Sequence, residues 1–243
     1  MRPIHALLAA GLLALSPAGA RAHDLWLTPA PGGVAVHLGH AHEPALPAAD
    51  KLVHLSALTV SGSAALSARA EPGAGVLTAA LPSGGDALVS GAYDNGFWVR
   101  LRGGGERNAD RRSAPDAERS QWSMKFAKAV LGPDAPWDRV LGQTLEIVPL
   151  EAPAAATGAI RVRVLFEGRP VAGAEIEAAS GDTAEETRAT TDAEGIARVP
   201  LARAGQQILA VDRRVRPSRT PALADADSYS ATLAFTTAEP RTN

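Results

Sequence analysis

The feature that most limits what this chain can fold into is a succession of short apolar runs of period two, broken at close intervals by glycine and proline. Leu25 and Leu27 alternate before a PAPG stretch at 29–32, and Val34, Val36 and Leu38 alternate after it. Successive side chains of an extended chain point to opposite faces, so this pattern buries one face of a strand, whereas a helix needs a period near 3.6. The two runs therefore predict a hairpin closing over 29–32. Further runs at 52–60, 77–81, 87–90 and 96–101 repeat the pattern. Short strands so punctuated favour a mostly β fold built from sandwiches.

One segment departs from this. In SAPDAERSQWSMKFAKAVLGP, Ser113 is placed to cap a helix, with Pro115 and acidic residues in its first turn. Trp122, Phe126 and Val130 recur every fourth residue, and Gly132-Pro133 would stop the element. The spacing predicts an amphipathic helix over about 113–131, packed on the sandwich. LEIVPLEAP then closes a first domain near residue 150. Beyond it Ile160, Val162, Val164 and Phe166 alternate, an EGRP turn follows, TTDAEG sets an acidic turn ending at Gly195, and QQILAV and SYSATLAF supply closing strands. Residues 213–227 read as a loop. This second stretch resembles the small transthyretin-like or carboxypeptidase-regulatory β-sandwiches, a resemblance that implies a fold and little about function. The expected organisation is a leader over 1–22, an Ig-like β-sandwich with its helix over 23–150, and a transthyretin-like β-sandwich over 151–243.

The leader is read from Arg2 and His5, the ten-residue apolar run at 6–15, Pro17 and the Ala20-Arg21-Ala22 site. Ten residues are about half of what crosses a bilayer, so cleavage between Ala22 and His23 and no membrane insertion afterwards are expected. No cysteine is present, which excludes a lipid-modified one and disulfide staples. Arginine-rich, lysine-poor composition points to a high-GC bacterium and hence to the periplasm. Removal of Arg2 and Arg21, with no acid, moves the formal charge from -2 to -4. That balance offers no footprint for nucleic acid. The local run Arg213, Arg214, Arg216 and Arg219 reads as a solvated loop.

Five of the six histidines follow the cleavage site, at His23, His37, His40, His42 and His54, and none lies beyond. With Thr28 opposite Gly33, the hairpin sets Leu27 against Val34, Leu25 against Val36 and His23 against Leu38. His40 is then a diagonal neighbour of His23 on the same face, and His42 continues that face. His37 falls opposite Asp24 and points away. His54, in phase with Leu58 and Val60, is expected to turn inward at the same end. Neutral imidazoles suit nickel, cobalt, copper and zinc, so His23, His40, His42 and His54 are the candidate metal ligands. A terminal histidine adds its α-amine, whose ordinary pKa of about 8 lets it deprotonate on binding. Asp24 and Glu43 could add oxygen or orient a ring.

AHDLWLTP after the leader, GHAHEP at the end of the next strand, WSMKFAKAVLG, LEIVPL and VRVLFEGRPVAGAEIEA…TTDAEG follow in that order. Together they resemble exported periplasmic components of nickel and cobalt uptake systems (NikM-type), over nearly the whole mature chain. The resemblance implies a two-domain β protein that binds nickel or cobalt and serves an inner-membrane metal transporter as its partner. It assigns the post-signal histidine to His23 and the Gly-His pair to Gly39-His40. This chain has His42 where family members often carry an aromatic residue. The expected function is thus a metal carrier or accessory component of uptake rather than an enzyme. Two alternatives stand beside it. One is a copper-binding histidine brace or oxidase, which the 4% aromatic content ill equips with a flat substrate surface. The other is a structural or interaction module with incidental histidines. Hydrolytic chemistry lacks a G-x-S-x-G elbow, and GGGERNADRR lacks a phosphate-binding lysine and a strand-to-helix setting.

Overall fold

The computed structural model describes residues 24–40, 43–71, 73–82, 85–180 and 185–238, with the backbone alone at 40, 43 and 44. In chain order its strands are β1 (Asp24–Ala30), β2 (Gly33–His40), β3 (Glu43–Ala45), β4 (Leu52–Thr59), β5 (Gly62–Ala65) and β6 (Arg69–Ala70). There follow β7 (Leu77–Ala80), β8 (Ala87–Arg100), β9 (Glu106–Asn108), β10 (Arg119–Leu131), β11 (Leu145–Pro149) and β12 (Ala159–Phe166). The last are β13 (Arg169–Pro170), β14 (Glu175–Ser180), β15 (Glu186–Thr190), β16 (Ile196–Pro200), β17 (Gly205–Val215) and β18 (Ala226–Thr237).

The hairpin forms with a tighter turn than expected. Ala30 stands opposite Gly33 across Pro31 and Gly32, and Gly32 takes the positive φ of +67° that a type II turn places after its proline. The register therefore moves by two, pairing Leu27 with Val36 and Leu25 with Leu38. A shift of two leaves every face unchanged, so Leu25, Leu27, Val34, Val36 and Leu38 still enter one core.

The expected helix over 113–131 is a strand. β10 pairs antiparallel with β8 and parallel with β18. The four-residue recurrence of Trp122, Phe126 and Val130 misled because four is also a multiple of two, so these residues share a face in a strand as well. Lys125, Ala127, Ala129 and Leu131, on the other face, are buried too. A strand buried on both faces loses the polar alternation that identifies it.

β10 is the middle of the molecule. The large sheet runs β15-β14-β17-β18-β10-β8-β4-β5, with β9 beside β8. A smaller sheet, β1-β2-β7-β6 with β3 on β2, covers one face over Leu25, Val36, Leu55, Val89, Ala127 and Ala234. The sheet β11-β12-β13, with β16 on β12, covers the other over Phe126, Ile147, Val162, Leu209 and Leu233. The result is three β layers. The expected boundary near residue 150 is bridged, because Gln121 to Ala129 of the first half pair with Ala226 to Ala234 of the second. The arginine run also divides: β17 extends through Val215, which leaves the expected loop to begin only at Arg216.

Candidate metal-binding end of the first hairpin

β1 lies across β18 and β10. Thr232 Oγ1 donates to the Leu25 carbonyl at 2.7 Å, and further along Leu27 and Pro29 line a crevice with Ala129, Leu131, Ala234 and Thr236. β1 thus runs in the same direction as the two strands beneath it. Its first described residue, Asp24, acts electrostatically on Lys125. The start of β1 and the end of β2 lie together, with Asp24 opposite Gly39. Gly39 also stands opposite Pro44 of β3, with φ +117°, a conformation that favours glycine where one strand end serves two partners.

His23 and His42 lie outside the described residues. His40 closes β2, and its backbone is in register with Glu43 across the β2–β3 connection. His54 is elsewhere. It is exposed, stands opposite Ala92, and its Nε2 lies 2.9 Å from Ser56 Oγ and 3.3 Å from Ser90 Oγ. Its neighbour Leu55 and the β8 residue Tyr93 face the hairpin, so His54 occupies the opposite face of the large sheet. It does share a face with Leu58, as its phase requires, but that face is turned from the hairpin and Leu58 packs on the other core. Among the described residues no three His, Cys, Asp or Glu side chains form a group able to hold a metal.

His37 stands opposite Trp26 rather than Asp24, stacked on the indole at 5.1 Å between ring centres, with Nε2 2.8 Å from Thr28 Oγ1. Burial lowers its pKa from the usual 6.5. The unfolded chain therefore binds more protons than the folded one between that lowered value and 6.5, and stability falls as pH drops through this window. The melting temperature of the native protein is expected to fall more steeply from about pH 7 to 5 than that of His37→Gln, with the two curves parallel above pH 7. Parallel curves throughout would contradict this assignment.

Beneath the hairpin end lies a charge that sequence reading did not single out. Lys125 is 1% exposed; burial lowers its pKa, and Asp24 and Asp212 oppose that shift. In register it is flanked by Tyr93 on β8 and Ser230 on β18. Its position in MKFAKAV, where two lysines stand among apolar neighbours, is the signal that a strand reading of this stretch would have raised.

Residues 20–214 match the family described as a domain of unknown function, DUF4198. The chain belongs to that family. An uncharacterized protein of Haemophilus influenzae is 33% identical over 173 residues, which cover 70% of this chain and 73% of that one. The D0-D1 domain of Intimin is a solved structure matched at 14% identity and a TM-score of 0.22, over 88% of this chain and 98% of that one, a likeness too low to carry an argument.

This DUF4198 chain holds a second buried lysine. Lys128 and Glu146, each 1% exposed, form an ion pair at 2.9 Å. Lys128 Nζ also donates to the Arg139 carbonyl at 3.1 Å, and the Glu146 carboxylate accepts the backbone N–H of Leu141 at 2.7 Å and of Gly142 at 3.0 Å. Burial lowers the Lys128 pKa against the pull of Glu146. The pair fastens the 132–144 connection to β10 and β11. Its closed set of partners makes it structural rather than chemical.

Proposed function

We propose that this DUF4198 protein is an exported transition-metal-binding protein that carries nickel or cobalt in the periplasm as an accessory to metal uptake, with an inner-membrane transporter as its partner. The supporting observation is the hairpin ladder. It runs to Asp24 opposite Gly39, and the residue next in sequence to each member of that pair is a histidine, His23 and His40. His42 follows two residues on, and Glu43 is in register with His40. Cleavage after Ala22 frees the α-amine of His23, so amine and imidazole can chelate one metal while His40 and His42 add nitrogen donors. His54, on the other face, has no part in this set.

Calorimetric titration of the exported protein with nickel, cobalt, copper and zinc tests the reading. One site per chain with micromolar or tighter affinity is expected, copper binding tightest of the four in vitro on the general affinity order. Absence of binding by all four would contradict it.

A further inference from the structure

The large sheet does not stop where the hairpin does. β10 continues back from Lys125 to Arg119, β8 runs on to Arg100, and β17 continues to Val215. At a rise of about 3.3 Å per residue, β10 projects roughly 20 Å beyond the row that Asp24 influences. This ledge carries its side chains on the hairpin's side: Gln121 lies in phase with Lys125, opposite Trp98, and Arg119 stands opposite Arg100. Arg214 reaches across from β17 to donate through Nη1 to Gln121 Oε1 at 3.0 Å. Ser230, on the same side beside Lys125, has a buried hydroxyl without a hydrogen-bond partner.

The ledge is rich in arginine, with Asp212 on the same side at its inner end. Arg119, Arg214 and Arg216 are exposed, and Arg100 is half-buried. Desolvation, then the charges of Arg216 and Arg119, weaken proton binding by Arg214, with Asp225 and Glu106 opposing. Asp225 is already occupied by Arg111 and by the backbone N–H of Ser120. Glu106 stands opposite Arg100 and supplies one counter-charge. Like charges directly opposite in a ladder destabilise it, so Arg119 beside Arg100 has a cost that a bound anion would offset. Planar guanidinium forks match carboxylates in particular, through two parallel hydrogen bonds.

The start of β1 points along this ledge. Resting on the metal-binding reading above, we propose that the ledge holds the carboxylates of a small organic chelator, so that the protein takes its metal as an anionic metal–carboxylate complex rather than as the hydrated ion. In this arrangement the hairpin histidines hold the metal, and Arg119 and Arg214 hold the chelator.

Citrate serves as the probe. The exported protein and the double variant Arg119→Gln/Arg214→Gln would each be titrated with nickel chloride, with nickel–citrate and with citrate alone. Radiolabelled citrate would be followed through gel filtration in parallel. The variant is expected to weaken nickel–citrate binding at least tenfold while changing nickel chloride binding less than twofold, and the label is expected to travel with the native protein only when nickel is present. Arg119→Lys/Arg214→Lys, which keeps the charge and loses the fork, should fall between the two. Unfolding curves that coincide for all three proteins would exclude a folding defect. Equal effects of the variant on both nickel forms, or label that stays free while nickel binds, would overturn the ledge but leave the metal site standing. Failure of both nickel forms to bind would overturn the metal reading itself, and the ledge proposal with it.

Discussion

Glu146→Ala is expected to destabilise the protein by about 3–5 kcal/mol, the usual consequence of removing one member of a buried ion pair. The cost has two sources. Lys128 would keep its charge in a site where the Arg139 carbonyl is its remaining acceptor, and the N–H groups of Leu141 and Gly142 would lose theirs. Lys128→Met also leaves a buried charge without its partner, but Glu146 keeps both backbone donors and a methionine fills the lysine's aliphatic volume, so its cost should be the smaller of the two. At about 2–4 °C per kcal/mol for a protein of this size, Glu146→Ala should melt roughly 10 °C lower. Urea unfolding of the two variants checks the order. Equal losses, or a larger one for Lys128→Met, would mean that the carboxylate's backbone contacts contribute little.

His40→Ala is expected to lower nickel affinity at least about 100-fold, more than is usual for groups that only orient a metal ligand. His54→Ala should leave it within about twofold, since its ring is hydrogen-bonded to Ser56 and Ser90 on the opposite face of the large sheet. The comparison is sharp because sequence reading placed both histidines in one site. Calorimetry of the two variants side by side reads the difference. A loss on His54→Ala equal to that on His40→Ala would show that the metal sits elsewhere.

Much of the fold was legible because it is written in local alternation. The β1–β2 hairpin, the alternation of Ile160 to Phe166 and the acidic turn before Gly195 all depend on residues close in sequence. The errors have long-range causes. β10 looked helical because it is covered on both sides, by β1 on one face and by the β11–β12 sheet on the other, and neither cover is visible in SQWSMKFAKAVL. The division near residue 150 missed the parallel pairing of β10 with β18, whose partners are about 105 residues apart. In the candidate site, parity was robust: a register error of two left Leu25 and Leu27 in the same core. The side to which His54 turns depended on the layering of the sheets, which its phase with Leu58 could not supply. The arginine ledge was hidden for a similar reason. Arg100, Arg119 and Arg214 are scattered along the chain and meet only through strand pairing.

On the proposed metal-binding function, cleavage after Ala22 creates the metal site at the hairpin end. The most direct measurement is a paired nickel titration of the protein beginning at His23, verified by mass spectrometry, and of the same protein carrying one additional residue before it. One nickel per chain with micromolar or tighter Kd, weakened at least about 100-fold by the added residue, is the predicted result, because the extra peptide bond removes the free amine from the chelate. Equal affinity in the two proteins would contradict a site built on the terminus, and absence of nickel binding in both would contradict the metal-binding function.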